Sequence, residues 1–453
     1  MASTYLERTN GTPDSQRKFT VSCWVKRSKL GAFQYFTAFQ DNGVGDPRVT
    51  INFRDNDKLQ YSETNSSGSA IASLQTTRLF RDVNSWYHIV VSVDTTNATA
   101  DDRIKIYVNG EQETSFSTRT NYSQNTDTVV NDNRHLIGAL YNNTLSSYFD
   151  GCLAHYHYCD GYVYDADDFG ETDSTTGEWK AKTDPSVTYG TNGVFLKFEN
   201  ASDFGEDSSG NDNDFTKNGS ATQLVDTPSN VFANFNINYR SSATFTNCNT
   251  TYTSPSANPV FGSLTTLGIS KGKWYAECKY SAGTNHYLIL GVADYNFSVL
   301  SGLGSATNTD LGKNGTTGSI AYVVNTGAYR VNNSNTSWGD AGGDGDILMM
   351  AMDKDNEKLY FGVNGTWGNS SDPAAGTGGI DVSSVLTGDE WFFGVTNDTG
   401  SNETVAHFNF GNGYFGTTAV VSSNQDGAGY GVFEYTVPTG YYALCTKNIN
   451  TYG

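Results

Sequence analysis

The chain has 453 residues and carries 48 Asp and Glu against 28 Lys and Arg, a formal net charge of −20. A chain of this length exceeds one ordinary domain and predicts about two to three. So acidic a surface repels phosphate backbones, which argues against a nucleic-acid partner. No apolar run approaches bilayer-spanning length, so membrane insertion is not expected.

With 48 Gly, 28 Tyr, 25 Phe and abundant Asn, Ser and Thr, the composition predicts an all-β chain with many turns. Helical periodicity nowhere persists beyond about three turns. The N-terminus MASTYLERTNGTPDSQRKF has neither the basic nor the apolar region of a secretory signal. Of the six cysteines (Cys23, Cys152, Cys159, Cys248, Cys278 and Cys445) none forms a Cys-x-x-Cys pair. Reduced, buried thiols are therefore expected rather than a disulfide framework or a zinc ribbon.

The first clear strand is expected at residues 18–26 (KFTVSCWVK), where Phe19, Val21, Cys23 and Val25 share one face. Short strands follow at 48–53, 59–63 and 69–74, a strong one at 86–93 (WYHIVVSV), then 104–108, 135–139 and 149–164 (FDGCLAHYHYCDGYVY). About eight short strands at this spacing predict an antiparallel sandwich over residues 1–165. Residues 166–230 are polar and acidic. They read as a connecting segment partly packed on the first sandwich, with a strand at 194–198 and a boundary at the Thr-Pro-Ser-Asn turn. Residues 231–453 predict a second sandwich with a C-terminal extension, its strands at 272–280, 287–293, 319–329, 391–395 and 404–410. Its strongest feature is 344–366, DGDILMMAMDKDNEKLYFGVNGT. There an apolar strand buried on both faces meets a polar turn and a second strand with one buried face, closed by Asn364-Gly365. The fold class expected is all-β, two tandem antiparallel β-sandwiches.

The ordered motifs SCWVKRS, WYHIVVSVD, IKIYVNGEQ and FDGCLAHYHYCDG resemble a laminin-G/concanavalin-A-like jelly roll across residues 1–165. The order GKWYAECKY, YLILGVA, the 344–366 hairpin and TVAHFNF is similar to a SPRY domain over about residues 260–415. The opening YLERTNGTPDSQRKFTVSCWVKRSKLG and the ending FEYTVPTGYYALCTKNI resemble virion proteins of tailed phages, marine ones in particular. The phage resemblance implies a virion-surface location after synthesis in the host cytoplasm, with other virion proteins as partners and a homo-oligomeric state. The roles it suggests are a capsid decoration or a short tail adhesin, with a host-surface glycan or protein as ligand. The alternatives are a polysaccharide-degrading enzyme on the same fold and a bacterial lectin or adhesin.

Concanavalin-like glucanases carry an E-x-D-x-x-E strand, and this chain has none. Asp353, Asp355 and Glu357 alternate only where the hairpin turns, so they are expected to serve the turn, and no catalytic residue is assigned. His155, His157 and Cys159 would share a strand face about 6.5–7 Å apart, too straight to wrap a tetrahedral ion, so packing is expected and no metal site. In residues 207–214 (DSSGNDND), oxygen-bearing side chains alternate around Gly210 as in a calcium loop, but the closing Glu is missing and Asx-turns account for them equally. Calcium is thus the one cofactor left open. Tyr295, Trp338 and Trp367 lie in Gly/Asn/Ser-rich segments of the second sandwich. Exposed aromatic faces stack on sugar rings, so these three are the candidate ligand-binding residues.

Overall fold

The computed structural model describes residues 3–40, 47–130, 134–239, 243–254, 260–282, 288–295, 297, 310–313, 318–397 and 403–453. By its contacts the chain divides into two units, Met1–Gln223 with Thr227–Ser229, and Leu224–Asp226 with Asn230–Gly453. Both are built almost entirely of antiparallel strands. Among the described residues no helix is long and apolar enough to cross a membrane.

In the first unit an eight-stranded sheet runs Phe116–Thr120, Ala70–Thr76, Leu59–Thr64, Arg48–Phe53, Gln34–Gln40, Arg134–Ile137, Tyr5–Thr9, Thr216–Asn218. It faces a six-stranded sheet in the order Val194–Leu196, Gly151–Asp160, Lys18–Arg27, Trp86–Asp94, Ile104–Val108, Glu111–Gln112. Phe19, Val21, Cys23 and Val25 point into the core between them, as their alternation predicts. The first strand is Tyr5–Thr9, not the one at Lys18. Its polar sequence YLERT hides it, because Leu6 alone of its five residues is buried and the strand is otherwise held by ladder bonds to Arg134–Ile137 and Thr216–Asn218.

The outer face of the six-stranded sheet is covered too. Tyr164, Phe169, Trp179 and Tyr189 pack over Val90 and Cys159. The Trp179 ring lies so close to Gly110 and Gly170 that a Cβ there would come within 2.8 and 2.3 Å of it. Its indole N–H donates to His88 Nδ1 at 3.0 Å. An indole can only donate, so Nδ1 is the bare nitrogen and Nε2–H donates to Ser22 Oγ at 2.8 Å. Burial pushes this imidazole down to about 3.

Two buried charges tie the loops of this unit. The Arg27 guanidinium, fully enclosed, lies over the Phe53 ring and donates to Asp57 at 3.1 Å and to the Phe80 carbonyl. Asp57, in the left-handed region at φ 62°, also accepts from Gly31 N at 2.8 Å and Arg81 at 3.1 Å. Glu63, wholly buried, accepts from the Tyr122 hydroxyl and from Val129 N at 3.1 Å. Desolvation outweighs these donors and lifts its carboxyl to about 7.

In the second unit one sheet contains Thr244–Thr246, Thr251–Ser254, Thr404–Asn409, Lys273–Ala282, Ile347–Asp353, Lys358–Val363 and Thr366–Trp367 in that order. The other runs Val260–Leu264, Trp391–Asn397, Leu288–Asp294, Ser319–Val323, Ala328–Val331, Ser334–Ser337. The strand expected at 287–293 thus begins at Leu288; Tyr287 lies outside the described residues. Leu348, Met350, Met352, Leu359 and Phe361 face the core between the sheets.

The second hairpin strand was expected to bury one face, and it buries both. The C-terminal extension supplies the cover: Phe433, Val437, Tyr441, Ala443 and Cys445 pack on Tyr275, Met349, Ala351 and Tyr360. Glu277 on that outer face is wholly buried and accepts from Glu434 N at 2.9 Å, Tyr435 N at 2.8 Å and the Tyr275 hydroxyl at 2.9 Å. Burial lifts it to about 7 against those three donors.

Cys23, Cys159, Cys278 and Cys445 are free and buried, as expected. Cys152 and Cys248 are not, being disulfide-bonded.

Candidate binding site

The carboxylates that alternate in the 344–366 hairpin act locally. Asp353 pairs with Lys273 at 2.9 Å and accepts from Asn356 N at 3.1 Å. Asp355 accepts from Gly272 N at 2.7 Å, and Glu357 sits at φ 53° in the turn.

The histidine-rich strand Gly151–Asp160 is bulged between Ala154 and His157, with His155 at φ 46°. His157 stacks on Phe195 at 4.1 Å and its Nδ1 meets the Tyr189 hydroxyl at 3.0 Å. Burial first, then His155 and His88, pushes its imidazole well below the ordinary range. Among the described residues no group of three His, Cys, Asp or Glu is placed to hold a metal.

In the 207–214 loop the carboxylate oxygens bond to the chain itself. Asp207 Oδ1 accepts from Phe195 N and Ser209 N, at 2.9 and 2.8 Å. Its Oδ2 accepts from Ser209 Oγ and Asn213 N, at 2.7 and 2.9 Å, while Asp214 accepts from Asp207 N at 2.8 Å. Replacing Asp207 by Ala strands these donors and is expected to lower stability by about 2–3 kcal/mol in denaturant unfolding. A chelator is expected to leave the melting temperature unchanged; a fall would mean that an ion shares these oxygens.

The three aromatic candidates do not converge. Trp338 is a core residue: its indole N–H donates to the Phe361 carbonyl at 3.1 Å and its ring meets Tyr329 edge-on at 6.0 Å. A ring enclosed on both faces cannot serve as a platform, so Trp338 leaves the candidate set. Its Gly/Asn/Ser-rich surroundings come from the turn beside it. Trp367 is half-buried, edge-on to Tyr275 at 6.3 Å and Tyr360 at 6.5 Å, within the outer-face cluster. Tyr295 alone stands out, with 64% of its surface exposed.

Its position follows from the pairing of Leu288–Asp294 with Trp391–Asn397, which sets Asp294 opposite Trp391. One residue on, Tyr295 N donates to the Glu390 carbonyl at 3.0 Å, so the ring emerges beside the loop entering the partner strand. Buried Asp294 holds that loop, accepting from Gly388 N at 2.6 Å. The approach needs glycine: a Cβ on Gly388 would lie 3.0 Å from Asp294 Cγ. On the other side Lys354 donates to the Gly388 carbonyl at 3.2 Å and sits 4.2 Å over the Trp391 ring. The result is an open depression of about 370 Å³ lined by Tyr295, Thr387, Gly388, Asp389 and Glu390. The acidic pair was overlooked in the sequence. Its signal was the polar TGDE run immediately before a strand-initiating tryptophan.

Residues 2–162 match the model of the concanavalin A-like lectin/glucanases superfamily. The sandwich of the first unit is thus concanavalin A-like, and SPRY-like and laminin-G folds occur among the solved structures similar to this chain. The SPRY domain of human HERC1 is 14% identical, covering 38% of this chain and 96% of that one, at a TM-score of 0.30. Domains LG4-5 of the mouse laminin alpha1 chain are 10% identical over 89% of this chain and 78% of that one, at 0.29. The Ruminococcus gnavus IT-sialidase CBM40 is 15% identical over 36% and 92%, at 0.28. Among curated proteins, none matches the sequence.

Proposed function

We propose that this chain is a non-enzymatic surface protein of a tailed-phage virion, a capsid decoration or short tail adhesin, that binds a host-surface glycan at the rim of its second sandwich. The virion assignment rests on the opening and closing motifs of the sequence. The binding assignment rests on one observation: Tyr295 presents an open ring face beside a polar-walled depression. An aromatic face takes the C–H side of a sugar ring while neighbouring oxygens take its hydroxyls. Copies of the chain are expected to assemble with one another and with other virion proteins.

Truncating an aromatic anchor at a binding site removes about 1–2 kcal/mol, so Tyr295→Ala is expected to weaken binding to host polysaccharide about ten-fold. Calorimetry measures the affinity and far-ultraviolet circular dichroism checks the fold. An affinity equal to wild type would remove the rim from consideration. Mass spectrometry of purified particles tests the virion assignment, which fails if the chain is absent.

A further inference from the structure

The walls of the depression say more about the ligand than the aromatic ring does. Asp389 and Glu390 are both exposed, adjacent to each other and to Tyr295. Among the described residues neither forms an ion pair. The nearby Lys354 ammonium is committed to the Gly388 carbonyl and the Trp391 ring. Tyr295 cannot move far from the pair, because its backbone is bonded to the Glu390 carbonyl.

We infer that the glycan recognised here carries a protonated primary amine, as an unacetylated amino sugar does, and that Tyr295, Asp389 and Glu390 together receive it. This inference rests on the glycan-binding reading of the same depression. Ionised carboxylates only accept hydrogen bonds, and an ammonium brings three donors and a compensating charge. The face of a phenol ring is the negative end of its quadrupole and attracts the same cation. All three groups therefore favour one ligand charge. A carboxylated or sulfated sugar would meet two like charges, and neither Lys nor Arg is among the residues that line the depression. The chain's net charge of −20 adds a long-range bias in the same direction, enriching cations near the surface before contact.

The test compares a fully deacetylated glucosamine oligosaccharide with the N-acetylglucosamine oligosaccharide of equal length. Full-length protein is titrated at low salt and at a pH where the amine is protonated. One exposed cation–π contact and two exposed ion pairs together amount to about 1–2 kcal/mol, so the amine form should bind about ten-fold more tightly. The preference should shrink at high salt. Asp389→Asn with Glu390→Gln should abolish the preference, and Tyr295→Ala should weaken binding of both forms.

Equal or tighter binding of the acetylated form, still sensitive to Tyr295→Ala, would overturn the amine assignment and leave the glycan-binding reading standing. Binding of the amine form that ignores all three substitutions would also overturn it, as attraction of a polycation to an acidic protein. If neither oligosaccharide binds while host polysaccharide does, the amine assignment falls alone. If nothing binds, both fall.

Discussion

Acidification from pH 7 to pH 4 is expected to destabilise the first unit before the second. His88, His135 and His157 are all buried there with imidazoles held neutral, each pushed down chiefly by burial. A group whose folded pKa lies below its unfolded value keeps its stabilising effect above the unfolded value, about 6.5 for histidine. The effect is lost as pH falls towards the folded value, because the unfolded chain then binds protons that the fold refuses. With His88 at about 3, the loss by pH 4 is about 3 kcal/mol from that residue alone.

Glu63 works in the opposite direction. Its folded pKa of about 7 exceeds the unfolded value, so the fold binds the extra proton and gains about 3 kcal/mol on acidification over the same range. Glu63 and His88 therefore nearly cancel. The lowered imidazoles of His135, His155 and His157 then oppose the carboxyls of Glu113, Asp150 and Asp160, which burial raises, and they prevail because His135 and His157 are pushed well below the ordinary range. The second unit has the buried acid Glu277, also at about 7, and, among its described residues, one histidine, His407, with an imidazole lowered by burial. Hydrogen exchange at several pH values, read separately over residues 1–223 and 230–453, measures the difference. Greater acid loss in the second unit would contradict this account. His157→Phe, which keeps the stack on Phe195, should extend the first unit's stability to lower pH.

Asp57→Asn should be among the most damaging single-atom exchanges in the molecule. Asparagine tolerates the left-handed backbone at this position, so the substitution isolates the charge. Arg27 then remains fully enclosed with no anionic partner among the described residues, and Arg81 loses the same carboxylate. Breaking a buried pair from one side typically costs about 3–5 kcal/mol. For a unit of this size that corresponds to a fall of about 10 °C in melting temperature, readable by calorimetry. A shift of about a degree would show that the Phe53 face and the Phe80 carbonyl are enough to hold the guanidinium. By contrast, replacing both Arg27 and Asp57 by apolar residues should recover part of the loss, because no charge is then left buried.

How far the sequence could be read depended on where each residue's stabilisation comes from. Lys18–Arg27, Trp86–Asp94 and the 344–366 hairpin were legible because their own alternation records a core. Tyr5–Thr9 and Thr216–Asn218 were not, because they are held mainly by backbone ladder bonds, with Leu6 their one side chain in the core, which leaves no period to find. The strand Gln34–Gln40 carries Phe36, Ala38 and Phe39 but is bracketed by glutamines that are themselves buried. The double burial of Lys358–Val363 depends on residues some seventy positions downstream, and a local window cannot anticipate a cover from so far away.

Of the three candidate residues, Tyr295 alone has the exposure that a binding platform needs. Composition placed Tyr295, Trp338 and Trp367 alike in turn-rich segments, but exposure is decided by what lies on the other side of the ring. Trp338 found the Phe361 carbonyl and Tyr329; Tyr295 found open space. Asp389 and Glu390 gain their meaning only from a strand pairing that brings residue 295 beside residue 390.

The covers laid by residues 164–189 over one sandwich and by residues 433–445 over the other restrict how such a protein can change its specificity. Neither of these two broad sheet faces is available to acquire a new ligand, because each already serves as an internal interface and most replacements there would unfold the unit. The loops between strands carry no such obligation. On the glycan-binding reading proposed above, a lineage facing a changed ligand could rewrite the loop holding Asp389 and Glu390 as long as it kept Gly388 and Asp294. Sequence drift among descendants should therefore collect at the sandwich rims, with the covered faces as the slowly changing part of the molecule.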